Sequence, residues 1–363
     1  MDFSRLSSFL DEFLAAGVPG FDCMVCRDGE VIYRYMNGFS DREAKTPMNG
    51  KERYNLYSCS KPITCTAAMQ LFERGAFKLE DDLCDYMPEF TEMKVRTPEG
   101  LVPAKRKITI LDLFTMSAGF DYNTQSPSLL RCYDETHGAC PTRTAMKYLA
   151  QEPLAFQPGD HWQYSLCHDV LAAFVEVVSG MPFEEYVQKN IFRPLGMTKT
   201  TFLLPAAEYP TLAAQYTGSG DQPGIFRIGP AIHNYRIGAD YASGGAGCVS
   251  TVEDYMKFLN ALIRDGVLLA GTTLDKMTTR HLSTAQLETY WGKDDNDYGL
   301  GLRCPKKGGV RIDSGWGGAA GAYLGFDRKN RITFFYAQHV LVAPTRERRP
   351  MISDLVREIV LGQ

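Results

Sequence analysis

Ser58 and Lys61 stand three residues apart in Leu56-Tyr57-Ser58-Cys59-Ser60-Lys61-Pro62, where a helix should begin. Proline is tolerated in the first turn of a helix, because its missing N–H would be unpaired there anyway. The pattern predicts a helix from Ser58 or Cys59 to about Arg74, stopped by Gly75, with Ser58 and Lys61 on one face. A hydroxyl at a helix N-terminus beside an amine is the outline of a nucleophile with its base. A free lysine, with a reference pKa of about 10.4, is a poor base at neutral pH, so burial or a neighbouring cation must tune it. The spacing alone is common at solvated helix starts, and the pair needs partners from elsewhere in the chain.

Other constellations are weaker. His161, His168 and His339 invite a Ser-His-acid triad, which a lysine base makes unnecessary. Cys23 and Cys26 form a C-x-x-C without a second copy, and in an extended stretch they read as strand residues on opposite faces. Glu80, Asp81, Asp82 and Asp85 read as a solvated face, and no spacing elsewhere suggests a metal site, so neither metal nor cofactor is expected. Ser243-Gly244-Gly245-Ala246-Gly247 lacks the strand and spacing of a phosphate loop. A formal charge of −4 gives no reason to expect nucleic acid or an anionic membrane as partner, and no apolar run is long enough to span a bilayer. The basic run Arg346-Glu347-Arg348-Arg349 reads as a solvated turn. Met1 to Leu6 opens on a helical pattern rather than an export signal, so the cytoplasm is the expected compartment and the ten scattered cysteines are expected as free thiols.

The elements that must position these groups follow from periodicity. After a first helix, Phe21–Cys26 and Glu30–Met36 read as a hairpin turned at Arg27-Asp28-Gly29. Thr109 and Asp112 have capping-box spacing before a short helix, the segment from Tyr122 to Thr142 reads as a loop over a pocket, and an apolar helix from Val170 closes at Gly180. Leu204 to Asn234 reads as loop with short strands, and Thr251 caps a helix ending near Gly266. Val310–Asp313, Ala322–Phe326 and Ile332–Gln338 read as strands, and a closing helix carries Ile352, Leu355, Val356 and Ile359. The fold class is therefore α+β: an antiparallel sheet flanked by helices and built from both chain ends, residues 1–57 and 235–363. A mainly helical domain, residues 58–234, is inserted between them, with the active site at the interface.

Three elements now belong together: Ser58-x-x-Lys61, Tyr164-Ser165-Leu166, and Ser314-Gly315-Trp316-Gly317-Gly318-Ala319-Ala320-Gly321. With Thr109-Ile110-Leu111-Asp112, Ser117-Ala118-Gly119, Pro194-Leu195-Gly196-Met197 and Ser243 to Gly247 in the same order, the chain resembles the serine beta-lactamase and penicillin-binding-protein superfamily. Within it, the likeness is to the class C-like branch of carboxylesterases. The resemblance implies Ser58 as nucleophile, Lys61 and Tyr164 sharing the general-base duty, and an oxyanion hole from the backbone N–H of Ser58 with that of Gly318 or Ala319. Two departures matter. Leu166 stands where lactamases have Asn in Tyr-x-Asn, and Trp316-Gly317-Gly318 replaces Lys-Thr-Gly, so the cation that would grip a penicillin carboxylate is missing. The implied substrate is a small-molecule carboxylic ester with a small acyl group, with acyl transfer, D-amino-acid amide cleavage, weak beta-lactamase activity or a non-catalytic scaffold role as alternatives. Tyr122, Leu166, Trp316, Gly317 and Tyr323 are the candidate substrate-binding residues. The sequence leaves the oligomeric state open.

Overall fold

The computed structural model describes residues 1–218, 224–229 and 233–362. Its main sheet has eight strands, in spatial order Asn296–Tyr298, Arg303–Pro305, Ser314–Gly317, Tyr323–Asp327, Ile332–Ala337, Gly20–Arg27, Glu30–Asp41 and Thr46–Pro47. All neighbours pair antiparallel, so the first strands of the chain lie beside the last. Every residue of Ile332–Ala337 is buried, because both faces of the sheet are covered. On one face Cys23, Val25, Tyr323, Phe334 and Tyr336 pack against the terminal helices Ser4–Ala15 and Met351–Leu361. On the other, Met24, Cys26, Trp316, Leu324 and Phe335 join the core of the helical middle. Cys23 and Cys26 thus point to opposite faces, as the strand reading expects.

The helical middle is organised by Lys61–Glu73 and Cys167–Ser179, which pack together. Pro62 sits in the first turn of the former, preceded by a 3-10 turn at Tyr57–Ser60. The latter ends at Gly180 in the left-handed conformation, φ 69°. Thr109 and Asp112 form the expected capping box at the start of Ile110–Phe114, and the Thr251 hydroxyl accepts from Asp254 N at the start of Val252–Leu262.

Several expectations change. The segment read as loop from Tyr122 to Thr142 holds a helix, Pro127–Glu135, with proline in its first turn and Leu129 and Cys132 buried. The strand expected at Val310–Asp313 forms four residues later, at Ser314–Gly317, in register with Tyr323–Phe326. Gln215–Gly218 and Ile225–Ile228 form a small sheet with Val340–Leu341, so this part of the 58–234 stretch goes with the sheet side; residues 219–223 and 230–232 of the expected loop lie outside the described residues. The basic run is a solvated turn through Arg346, Glu347 and Arg348, but its last member departs from that reading: Arg349 is 8% exposed, and its guanidinium donates to Gly318 O at 3.0 Å. Among the described residues no helix is long and apolar enough to cross a membrane.

A buried ion pair ties the edge of the sheet to its cover: Asp313 accepts from Arg303 at 2.5 Å and from the Ser353 hydroxyl at 2.6 Å. Removing one partner of such a pair strands the other charge away from water. Asp313→Ala is expected to lower unfolding free energy by about 3–5 kcal/mol in urea titrations, whereas a surface ion pair is worth about 1 kcal/mol or less.

Candidate active site

The turn that carries Ser58 is held from three sides. Leu56 N donates to Cys248 O at 2.9 Å, Cys248 N donates to the Ser60 hydroxyl at 2.8 Å, and Tyr255 OH donates to Cys59 O at 2.5 Å. Tyr57, immediately before Ser58, has φ 48°, a left-handed conformation that side chains other than glycine rarely adopt. Such strain persists where surrounding contacts over-determine it, here the bonds from Tyr57 OH to Gln215 at 2.9 Å and from the Ser60 hydroxyl to Tyr57 O at 2.6 Å. The result presents Ser58 at 9% exposure, the edge of burial, at the start of a buried helix.

Lys61 is fully buried at 0% exposure. Its Nζ donates to Ser58 Oγ at 3.3 Å, to Tyr122 OH at 3.5 Å and to Gly245 O at 2.7 Å. The ammonium also lies 4.4 Å from the centroid of the Tyr164 ring and 5.4 Å from that of Tyr122. Tyr164 OH donates to Ser58 Oγ, so the hydroxyl is contacted by both expected base groups. Tyr164 is set by the chain on either side: Gln163 N donates to Met116 O at 2.9 Å and Leu166 N to Asp121 O at 3.0 Å. Ser58 and Lys61, paired by their spacing, and Tyr164, implied by the family resemblance, therefore meet at one oxygen.

The glycine-rich segments act through their backbones. Gly245 supplies the carbonyl that holds Lys61, and a Cβ there would stand 2.5 Å from Asp169 Oδ2 and 2.9 Å from Tyr122 OH. Asp169 lies beneath it, fully buried, accepting from Tyr241 OH at 2.8 Å and the Ser243 hydroxyl at 2.6 Å; burial raises its carboxyl pKa. Gly318 approaches so closely that a Cβ would stand 2.3 Å from Leu56 O, which brings the next amide beside the Ser58 turn. Gly318 N is spent on Ala322 O at 2.7 Å, which corrects its expected role as a free donor. The amides of Ser58 and Ala319 have no hydrogen-bond partner among the described residues.

The other candidates divide. Tyr122 is stacked on Tyr164 at 5.4 Å, and burial holds its phenol well above the usual tyrosine range, so it serves Lys61 as a neutral acceptor. Trp316 is 3% exposed yet stacks on Tyr164 at 6.0 Å, with its indole N–H 3.5 Å from Tyr164 OH. Gly317 stays partly exposed at the end of its strand. Tyr323 is a correction: paired with Gly317, it faces the terminal helices, against Phe334 and under the Arg303 guanidinium, away from Ser58. Leu166 is a second correction, since its side chain is 1% exposed in the helical core.

This site sits in a recognisable family. A family model described as Beta-lactamase matches residues 6–356. The chain belongs to the Beta-lactamase family. It is 31% identical to Esterase EstB of Burkholderia gladioli over 301 residues, 75% of this chain and 73% of that protein. It is 30% identical to Lovastatin esterase of Penicillium rubens over 276 residues, 72% of this chain and 68% of that protein. Among solved structures, EstCE1, described as a hydrolase with promiscuous acyltransferase activity, matches with a TM-score of 0.79 at 25% identity over 97% of both chains. Within this family the chain is a serine hydrolase.

Against that family background, four residues here escaped the sequence reading. Tyr235 packs edge-on to Tyr122 at 5.1 Å, and His233 stacks on Tyr57 at 4.5 Å. Trp291 lies 5.5 Å from Trp316, and Arg349 braces the Gly318 carbonyl. None sits in a motif, and only the basic run around Arg349 offered a signal. The histidines that were weighed as triad members are committed elsewhere. His168 lies 3.6 Å from Cys65 Sγ, and His339 contacts Ala213 O at 2.9 Å and accepts from Asn55 N at 3.3 Å; His161 is exposed.

Two outcomes follow from this packing. Gly245→Ala must push its carbonyl off Lys61 and is expected to lower kcat by about 10²-fold, read in ester turnover, while leaving the fold intact by circular dichroism. Burial pushes His168 down to about 3, and His233 and His339 down to about 4, against 6.5 for an unperturbed histidine. Below pH 6.5 the unfolded chain therefore binds protons the native state refuses, and stability falls from about pH 6.5 to about pH 4. Asp22 and Asp169, raised by burial, act in the opposite sense. Thermal melts across this range are expected to show a shallower acid loss in His339→Gln than in the wild type.

Proposed function

We propose that the protein cleaves carboxylic esters of small acyl groups through an acyl-enzyme on Ser58. The observation that carries the reading is the convergence of Lys61 Nζ at 3.3 Å and Tyr164 OH on Ser58 Oγ, beside two unpartnered amides. In this reading Lys61 and Tyr164 share the base duty: the reacting form of the pair carries one proton fewer, with Tyr164 as the phenolate beside the Lys61 ammonium, and the phenolate oxygen takes the proton of Ser58 Oγ as that oxygen attacks the ester carbonyl. The carbonyl oxygen, now an anion, is held by the amides of Ser58 and Ala319, each such donor being worth about 10²–10³ in rate. Collapse breaks the bond to the alcohol oxygen, which leaves with the proton from Tyr164. Water then attacks the acyl-enzyme under the same base and releases the acid.

The strand beside the site carries Trp316 and no cation, which supports esters over penicillins as substrates. The names of EstB and Lovastatin esterase support the same direction. Transfer of the acyl group to a second alcohol is the alternative, supported by the description of EstCE1. The reading assigns the enzyme to the cytoplasm, supported by ten cysteines that are all free and buried.

The test compares p-nitrophenyl butyrate with a chromogenic cephalosporin. Ester turnover is expected in the wild type, to be lost in Ser58→Ala, and to fall about 10²–10⁴-fold in Tyr164→Phe, with little cephalosporin turnover in any variant. Ester cleavage that persists in Ser58→Ala sinks the mechanism, and rapid cephalosporin turnover sinks the substrate assignment. A labelled fluorophosphonate is expected to mark Ser58 in the wild type only.

A further inference from the structure

Asp169 is a buried carboxyl that the proposed mechanism does not use. It stands in the first turn of the 13-residue helix Cys167–Ser179, where the free N–H groups favour an anion, and it is 0% exposed. Its Oδ1 accepts from Tyr241 OH at 2.8 Å and from the Ser243 hydroxyl at 2.6 Å, whereas its buried Oδ2 has no hydrogen-bond partner among the described residues. Gly245 lies between this carboxyl and Lys61. A Cβ on Gly245 would stand 2.5 Å from Asp169 Oδ2, and the Gly245 carbonyl accepts from Lys61 Nζ at 2.7 Å. One glycine therefore separates the acid from the ammonium.

Hydrogen bonding does not account for a charge at this position. An asparagine would offer Tyr241 and Ser243 the same oxygen and would spare the chain a buried anion with one oxygen unpaired. Burial raises the Asp169 carboxyl above its usual range, against the pull of the Ser243 hydroxyl, the Lys61 charge and the Tyr241 hydroxyl. What only the charge can do is act on Lys61. The other titratable groups around the pair are held neutral by burial, which raises the phenols of Tyr122, Tyr235, Tyr241 and Tyr298 and the thiols of Cys59, Cys65 and Cys167, and lowers His168 to about 3.

We infer that Asp169 is a positioning residue for the base: its carboxylate acts across Gly245 to keep the shared proton on Lys61, so that Tyr164 is the group left as phenolate beside Ser58. This rests on the hydrolase reading and deepens it. The Lys61–Tyr164 pair can hold its one shared proton in two ways, as ammonium with phenolate or as amine with phenol. The first makes the Tyr164 oxygen, in contact with Ser58 Oγ, the base. A negative charge behind Lys61 favours that form. Fully buried, Asp169 acts through Lys61 and not on the substrate.

The experiment measures kcat/KM for p-nitrophenyl butyrate against pH in the wild type, Asp169→Asn, Asp169→Ala and Ser58→Ala, with thermal melts of each. In Asp169→Asn the plateau is expected to fall about tenfold, because the shared proton moves toward Tyr164, and the acid limb to move down by about one pH unit. The sign of that shift follows from the form with both groups protonated, whose net positive charge Asp169 no longer stabilises. A plateau and a limb lowered together bring the two profiles into coincidence at the acid end, which a loss of structure would not do. Asp169→Ala, which also loses both hydroxyl bonds, is expected to show the same limb shift at a lower melting temperature. An unchanged profile, a profile lowered equally at every pH, or failure of both variants to fold assigns Asp169 to the fold and overturns the inference, leaving the Ser58-dependent hydrolase reading in place. Failure of the wild type to cleave the ester, or cleavage that survives Ser58→Ala, overturns the hydrolase reading and the inference with it.

Discussion

The burial of the Lys61 ammonium is the constraint on which the site depends. Taking an isolated cation out of water costs several kcal/mol, and none of its hydrogen-bond partners is a carboxylate: they are the Gly245 carbonyl and the hydroxyls of Ser58 and Tyr122. Two tyrosine faces add cation–π attraction, of order 2 kcal/mol when desolvated. The nearby carboxyl, Asp169, sits one residue layer away behind Gly245; its Oδ1 accepts from Tyr241 and Ser243, while its buried Oδ2 has no hydrogen-bond partner among the described residues.

The same constraint explains why the surroundings are shaped as they are. The carbonyl must come within 2.7 Å of Nζ, so the 243–247 turn has to lie against the helix start, and Gly244 and Gly245 allow it. Thr64 pins the turn by donating to Gly244 O at 2.8 Å. His168, in the first turn of Cys167–Ser179, is kept neutral by burial and by the charge of Lys61. Across the cleft, Arg349 holds the Gly318 carbonyl, which fixes the turn that bears the free Ala319 amide. A run of sequence that looks like surface charge thus stabilises the strand opposite the nucleophile.

Much of this was legible because some residues have few places to go. Pro62 fixed the helix start, the Thr109–Asp112 box fixed another, Ser58 and Lys61 stood out by their spacing, and Tyr164 entered through the family resemblance. What failed depends on register and on long-range packing. Tyr323 reads as a pocket residue until the hairpin register pairs it with Gly317, and alternation then sends it to the terminal-helix face. Gly318 and Ala319 differ by one position, and only the bond from Gly318 N to Ala322 O separates them. Pro127–Glu135 was missed because its Ser-Pro start and short length resemble a turn. Trp291 and Tyr235 belong to no motif; their places come from loops that fold against distant elements.

Hydrolysis and acyl transfer are less distinct in this site than their names suggest. In the proposed mechanism the two halves of the reaction use the same oxygen position: the alcohol that leaves and the nucleophile that resolves the acyl-enzyme both exchange a proton with Tyr164. By microscopic reversibility, a surface that holds a departing alcohol beside Tyr164 also holds an arriving one. Trp316 stacks on Tyr164, and Trp291 lies 5.5 Å beyond it. In that mechanism, whether water or an alcohol completes the cycle is a competition for one position, decided by the acceptor's concentration and its affinity for the site, without any change in the residues that do the chemistry.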